Sequence, residues 1–250
     1  MPSIDSFFVI RTMQALEVLA FRPSSAPEVA DVLRVDARTA RRLLNRLADE
    51  GWLVRTEGRV RTYTLSLRLV ALAAHFLERA PITRAATTAV RALHEQTGGV
   101  AHLTIPSYRS VLCVAQHADG PHASPRFREL IPAHASAGGK VLLAHRVPWR
   151  ESVLELPLDR VTEHTIVDPD AVRMQCETTL GRGFAFEDGE YREGLQGVAV
   201  PVPDEAGDVM AAIALIGPRE LDVAGKVDAV ADAAEGLRRS LAEQGDAHAA

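Results

Sequence analysis

The stretch ARTARRLLNRLADEG, residues 37–51, constrains this chain more than any other feature. Ala40, Leu43, Leu44 and Leu47 recur at i, i+3, i+4 and i+7, so a helix over 37–50 has one apolar face that must pack on something. Its opposite face carries Arg38, Arg41, Arg42, Asn45 and Arg46. Asp36 is its N-cap and Gly51 its stop. So short and charged a helix needs a small domain around it. The apolar positions Ile10, Met13, Leu16, Val18 and Leu19 predict a helix over 8–21. Ser25 and Pro27 open a second helix, 27–33, and a tight VDA connection leads into the third. After Gly51, WLVRT and TYTLSL alternate on either side of the polar tip EGRVR, as a hairpin does. Three short helices followed by a hairpin predict a winged helix-turn-helix over 1–67.

That architecture suits DNA. Arginine can bond guanine O6 and N7 with two parallel hydrogen bonds, and asparagine can do the same for adenine N6 and N7. Thr39, near the helix start, can donate to a phosphate, and Arg59 and Arg61 on the wing tip can reach a flanking groove. The expected DNA-reading set is therefore Arg38, Thr39, Arg41, Arg42, Asn45, Arg46, Arg59 and Arg61. The net charge of −5 hides an asymmetry: residues 1–80 carry +3, from twelve arginines against nine acidic residues, and the remainder carries −8. Charge alone leaves two readings open, a surface for a polyanion or the arginine bias of a GC-rich genome, and the placement on one helix face and one wing tip decides for DNA. A domain this small makes few contacts, so two copies on a two-fold operator are expected.

A linker helix over 68–81 (LVALAAHFL) follows, whose apolar faces offer either a dimer seam or an intramolecular core. Residues 82–250 then change texture: a helix over 82–96 stopped by Gly98-Gly99, strands VAHLTIP and SVLCVAQ joined at PSYR, a loop rich in Pro, His and Gly, and a helix beginning near Gly138. A helix over 170–180, strands GFAFEDG and GVAVPVP…VMAAIALIG turning at 204–207, and a last helix over 221–241 complete an α+β pattern. No apolar run is long enough to span a bilayer, and no signal peptide is visible. The two cysteines, Cys113 and Cys176, stand outside any CxxC spacing, which excludes a disulfide scaffold and a cysteine zinc site and fits a cytoplasmic protein. No cofactor, metal or membrane partner is expected, and His117 and His164 are unassigned surface histidines.

The segment HASAGGK followed by VLLA, 134–144, resembles the H-x-[ST]-A-x-G-K-x-x-L-A signature of the IclR family of bacterial transcriptional regulators. GRGFAFEDGEYREGLQGVAVPVPDEAGDVMAAIALIGP resembles the family's second hallmark, and the Thr-x-x-Arg-Leu-Leu helix ended by Gly-aromatic is similar to its DNA-binding half. The resemblance implies a GAF-like effector domain, an antiparallel sheet with helices on both sides, together with operator DNA and a small-molecule effector as partners and homodimers that pair into tetramers. It also implies a pocket at His134, Ser136, Ala137, Gly138, Glu187, Leu195, Gly197, Ala214 and Ile216. The opening of the helix at 136–139 makes physical sense there, since its N–H groups can hold a carboxylate.

The chain departs from the family pattern in this pocket. Glu187 stands where the family often has Asp, Gly197 where a cysteine is frequent, and Ala214 and Ile216 where some members have serine. Leu195 is read as part of the same loop as Glu187, and the second acidic pair is broken, reading Asp188-Gly189-Glu190. Losing a thiol and two hydroxyls adds room and apolar wall, so an aromatic or alicyclic acid is expected rather than a two- or three-carbon one. A C-terminal half that only oligomerises is the alternative. Catalysis is not expected. Lys140 does not complete a phosphate loop, because His134 occupies the first glycine position and Val141 follows the lysine, and His134 and Ser136 lack a third member of an acyl-transfer triad.

Overall fold

In a computed structural model, which describes residues 4–56, 58–79, 81–119 and 130–249, the chain divides into two units, Met1–Ala80 and Pro81–Ala250. The first holds α1 (Ile4–Phe21), α2 (Ala26–Leu33), α3 (Ala37–Asp49) and α4 (Leu67–Arg79), with strands β1 (Ser24–Ser25), β2 (Leu53–Thr56) and β3 (Thr62–Leu65) in the order β1-β3-β2. The N–H and the hydroxyl of Ser25 both donate to Glu28 at 2.7 Å, fixing the start of α2. Asp36 accepts from the Thr39 N–H at 2.9 Å and starts α3. Gly51, at φ +80, releases the chain into the hairpin, whose ladder runs from Leu53↔Leu65 to Thr56↔Thr62.

The core of this unit joins Ala15 and Leu19 of α1, Val29 and Leu33 of α2, Leu43 and Leu44 of α3, and Leu53 and Tyr63 of the hairpin. Two expectations change. The strand β1, pairing Ser24 with Tyr63, is too short to leave a periodic signal. On α1, Ile10 and Met13 are 53% and 57% exposed, and among the described residues the helix reaches the core through Ala15 and Leu19. The helix expected over 68–81 is α4, which starts one residue earlier, ends at Arg79 and falls within the first unit; Leu67, Val70 and Leu72 are exposed on it.

The second unit is built on a six-stranded, wholly antiparallel sheet in the order β6-β5-β4-β9-β8-β7. Its strands are β4 (Val100–Ser107), β5 (Ser110–His117), β6 (Leu130–Pro132), β7 (Ala185–Asp188), β8 (Leu195–Pro203) and β9 (Val209–Pro218). One face is covered by α5 (Pro81–Thr97) and α9 (Val227–Ala249), through Val90, Leu93, Val230 and Leu237 on Leu103, Val200, Ile213 and Leu215. The other is covered by α6 (Ala137–His145), α7 (Val147–Leu154) and α8 (Pro169–Arg182), through Val141, Leu142, Val153, Val172 and Cys176. This is the expected α+β arrangement, an antiparallel sheet between two helical layers.

Two boundaries and two short elements differ from expectation. The β4–β5 turn is confined to Tyr108 (φ +50) and Arg109, so Pro106 and Ser107 belong to β4. The helix expected from 221 starts at Val227, after two 3₁₀ turns hinged on Asp222 at φ +48. Strand β6 and helix α7 are absent from the sequence expectation, the one being three residues long and the other only eight, too short for a clear helical period. The Pro-, His- and Gly-rich loop lies mostly outside the described residues, as does Glu57 on the wing tip. Among the described residues, no helix is long and apolar enough to cross a membrane.

Candidate DNA-reading surface and effector site

Helix α3 buries Ala40, Leu43 and Leu44 and leaves Arg38, Arg41, Arg42 and Arg46 exposed, as its periodicity requires. Arg59 and Arg61 are exposed on the wing. The side chains of these six arginines form no hydrogen bond or ion pair with any described residue. Other arginines of the same unit are committed: Arg55 pairs with Asp49 and donates to the Asn45 carbonyl at 2.9 Å, and Arg68 donates to the Glu50 carbonyl at 2.8 Å while stacking on Trp52. Arg41 and Arg61 line a single cleft of ≈ 550 Å³ together with Ser25, Ala26, Pro27, Gly58, Val60 and Tyr63.

Two members of the expected set are engaged within the protein. The Thr39 hydroxyl donates to Asp36 at 2.7 Å, so its proton is turned to the cap rather than outward. Asn45 is half-buried, and its Oδ1 accepts from the Tyr63 hydroxyl at 2.9 Å. A bidentate grip on adenine needs that oxygen as well as the amide nitrogen. Tyr63 is buried in the unit's core and its ring could be placed there from alternation, but nothing in the sequence tied its hydroxyl to Asn45.

In the second unit the sheet register brings together four residues of the expected effector set, Glu187, Gly197, Ala214 and Ile216. Glu187↔Gly197 on β7–β8, Gly197↔Ile216 on β8–β9 and Ile216↔Val100 on β9–β4 form one row across four strands. Ala185, Ala199, Ala214 and His102 form the next row, on the face that α6 covers. The start of α6 presses on this face. A Cβ at Gly138 would meet Thr104 Oγ at 2.6 Å, and one at Gly139 would collide with the Ala133 backbone, so both glycines are required for the approach. Ala137 lies over Gly197, 3.5 Å from where a Cβ would stand. Ser136 Oγ accepts the Gly139 N–H at 3.1 Å, leaving the N–H groups of Ala137 and Gly138, for which no partner is found among the described residues.

His134 does not turn its ring tip to the start of α6. It is buried, with Nε2 2.9 Å from the Asp159 carbonyl, so that nitrogen carries the proton and anchors the α7–α8 connection; burial holds the ring below the usual histidine range. Leu195 is the first residue of β8 and Glu187 lies on β7, so the two do not share a loop. Glu187 is 3% exposed and its Oε2 accepts the Glu190 N–H at 3.0 Å; burial pushes its carboxyl up to about 7. Behind it, Lys140 and Glu190 form an ion pair with both side chains buried. Burial lowers the lysine and raises the glutamic acid, each opposed by the partner's charge. The Glu190 carbonyl is fixed by the Thr165 hydroxyl at 2.7 Å. His102, Thr104 and Glu190 are the residues of this site that sequence reasoning missed; the alternation of VAHLTIP carried the signal for the first two, and the break in the acidic run hid the third.

The family model for the bacterial transcriptional regulator IclR C-terminal region matches residues 74–235, and the chain belongs to the IclR family of bacterial transcriptional regulators. The HTH-type transcriptional regulator BhcR of Paracoccus denitrificans is 28% identical over 250 residues, covering 95% of this chain and 88% of its own. Among solved structures, a Silicibacter sp. protein described as an IclR-type regulator superposes with a TM-score of 0.71 at 23% identity, covering 95% of both chains, which is a likeness of fold. An IclR homolog from Microbacterium hydrocarbonoxydans, solved with 4-hydroxybenzoate, superposes with a TM-score of 0.64 at 25% identity and covers 94% of this chain and 99% of its own.

Proposed function

We propose that this regulator binds operator DNA through α3 and the wing, and that a small carboxylic acid with an aromatic or alicyclic body modulates that binding from the face beneath α6. The observation that carries the DNA reading is the set of six exposed arginines without internal partners, four on α3 and two on the wing. Left solvated they only repel one another, whereas against phosphates and guanine edges each has a complement. The exposed Leu67, Val70 and Leu72 of α4 support self-association, as two operator half-sites require, with dimers pairing into tetramers as a further step.

The test is fluorescence anisotropy with the intergenic DNA upstream of the gene, across a salt series. Replacing Arg41 and Arg42 by Ala together is expected to weaken binding at least about tenfold and to reduce the salt slope by roughly two. Unchanged affinity and slope would remove the assignment.

The effector reading is supported by the two helix-start N–H groups, the apolar row from Gly197 to Ile216, and the 4-hydroxybenzoate held by the Microbacterium homolog. Calorimetry with a panel running from pyruvate to substituted benzoates tests it. Binding of pyruvate-sized acids alone would overturn the aromatic preference, and no binding across the panel would leave a domain that only oligomerises.

A further inference from the structure

Away from the effector face, α5 and β5 bring together three groups that neither half of the regulator's function uses. His94 lies in the last turn of α5, His117 ends β5, and Asp119 follows as the chain leaves the strand. His117 sits opposite Ala101, which belongs to the core beneath α5 and α9, so the cluster is on the sheet face turned away from α6. One ligand-capable atom from each of the three lies within 4.8 Å of the other two. The imidazoles meet edge to face, with centroids 5.0 Å apart and planes at 61°.

The orientation of His94 is what makes this more than a chance grouping. Gly98, at φ +74, turns the chain back after α5, so that the Gly99 carbonyl comes 2.7 Å from His94 Nδ1. A carbonyl can only accept, so Nδ1 carries the proton and Nε2 faces the cluster. Metal-binding histidines are commonly held this way, by a carbonyl on the far nitrogen that fixes tautomer and ring angle. Nε2 in turn faces Asp119 Oδ2 at 3.1 Å, and two groups with lone pairs stay that close only with a positive centre between them. In the protein alone that centre is a second proton on His94, whose pKa the Gly99 carbonyl and the Asp119 carboxylate both raise.

We propose that His94 Nε2, His117 and Asp119 form a site for a divalent transition metal of the Zn²⁺ type, tying the last turn of α5 to the end of β5. Two imidazole nitrogens and one carboxylate oxygen suit zinc with a fourth position left for water. Ligand atoms around a tetrahedral zinc stand about 3.3 Å apart, so the widest gap must close by about 1.5 Å, which rotation of the exposed Asp119 and half-buried His117 side chains supplies. Burial of His94 fixes one ligand, while the 85% exposure of the Asp119 side chain gives an ion its entry.

The test uses the full chain, stripped with a chelator and titrated with ZnCl₂ by calorimetry, with thermal melts alongside. The expected result is one high-affinity Zn²⁺ per chain and a zinc-dependent rise in Tm. The chain has nine histidines, so the variants decide which of them bind. His117→Asn and Asp119→Asn, at positions outside the buried core, are each expected to lower the affinity by about tenfold or more and to lose the zinc-dependent Tm rise, with the zinc-free melt unchanged. Equal zinc affinity in wild type and both variants, or no uptake by wild type at millimolar ZnCl₂, overturns the assignment.

Discussion

Glu187 Oε1 lies 3.1 Å from the position a Cβ on Gly197 would take, and its Cγ lies 3.3 Å from it. The two residues face each other across β7 and β8, and the sequence resemblance reads both as departures, one as a longer acid and the other as a lost side chain. The room that a missing thiol was expected to open is taken up, at this point, by the extra methylene of Glu187.

A side chain at 197 and the long acid at 187 should accordingly exclude one another. Gly197→Ala is expected to cost about 1–3 kcal/mol of stability through overpacking, since a Cβ there would press on Glu187 Oε1 at 3.1 Å and Cγ at 3.3 Å. In a Glu187→Asp background the same substitution should recover most of that loss. Urea denaturation of the two single variants and the double gives the coupling energy, and additive costs would mean the side chains do not share that space.

Burial raises the Glu187 carboxyl from 4.5 to about 7. Between those values the folded chain keeps a proton that the unfolded chain has released, so the unfolded state binds fewer protons and stability falls as pH rises. The destabilisation is absent below about pH 4.5 and complete above about pH 7, on the order of 3 kcal/mol if the whole shift is felt. Glu187→Gln removes this titration. The difference in stability between the variant and the wild type should therefore grow in the variant's favour from pH 4.5 to pH 7, in melts followed at constant ionic strength. A difference that stays flat across that window would place the carboxylate in water.

Lys140 is 1% exposed and its ammonium pairs with Glu190, whose second oxygen has no hydrogen-bond partner among the described residues. Lys140→Met fills the same volume but strands the carboxylate, at an expected cost of 3–5 kcal/mol by the general behaviour of broken buried pairs, about that much in chemical denaturation at pH 7. Burial already raises the Glu190 pKa, so the stranded group protonates readily and the deficit should shrink toward pH 5. Adding Glu190→Leu should restore much of the loss. If the single Lys140→Met variant is as stable as wild type at pH 7, the pair has no structural role.

The elements that sequence made legible are those with many residues voting the same way. Helix α3 was fixed by four apolar positions, a cap at Asp36 and a stop at Gly51, and the β8–β9 hairpin by long alternation around 204–207. What was lost rested on one or two residues: the two-residue β1, the three-residue β6, and the turn at Asp222 that delays α9. The effector face followed the same division. The glycines and Ser136 were visible in a motif, but the Lys140–Glu190 pair joins residues 50 positions apart, and no local pattern records which buried charge meets which. Periodicity assigned the arginine face of α3 yet could not say that Asn45 and Thr39, on the same face, spend hydrogen bonds inward.

That last point changes what Asn45 is expected to do on DNA. Its Oδ1 accepts from the Tyr63 hydroxyl, which is itself buried, so Asn45→Ala leaves that hydroxyl without a partner and should cost about 1–3 kcal/mol of stability. Tyr63→Phe leaves the asparagine free to turn outward and should cost only about 1 kcal/mol. If Asn45 supports the fold rather than reading a base, Asn45→Ala weakens operator binding no more than Tyr63→Phe, and neither relaxes preference at any single base pair. Arg41→Ala and Arg42→Ala should each weaken binding by several-fold or more while leaving stability within about 0.5 kcal/mol. Anisotropy against operator variants, paired with urea denaturation, separates the two behaviours. An Asn45→Ala protein that loses discrimination at one A·T pair, where Tyr63→Phe keeps it, would return Asn45 to direct base readout.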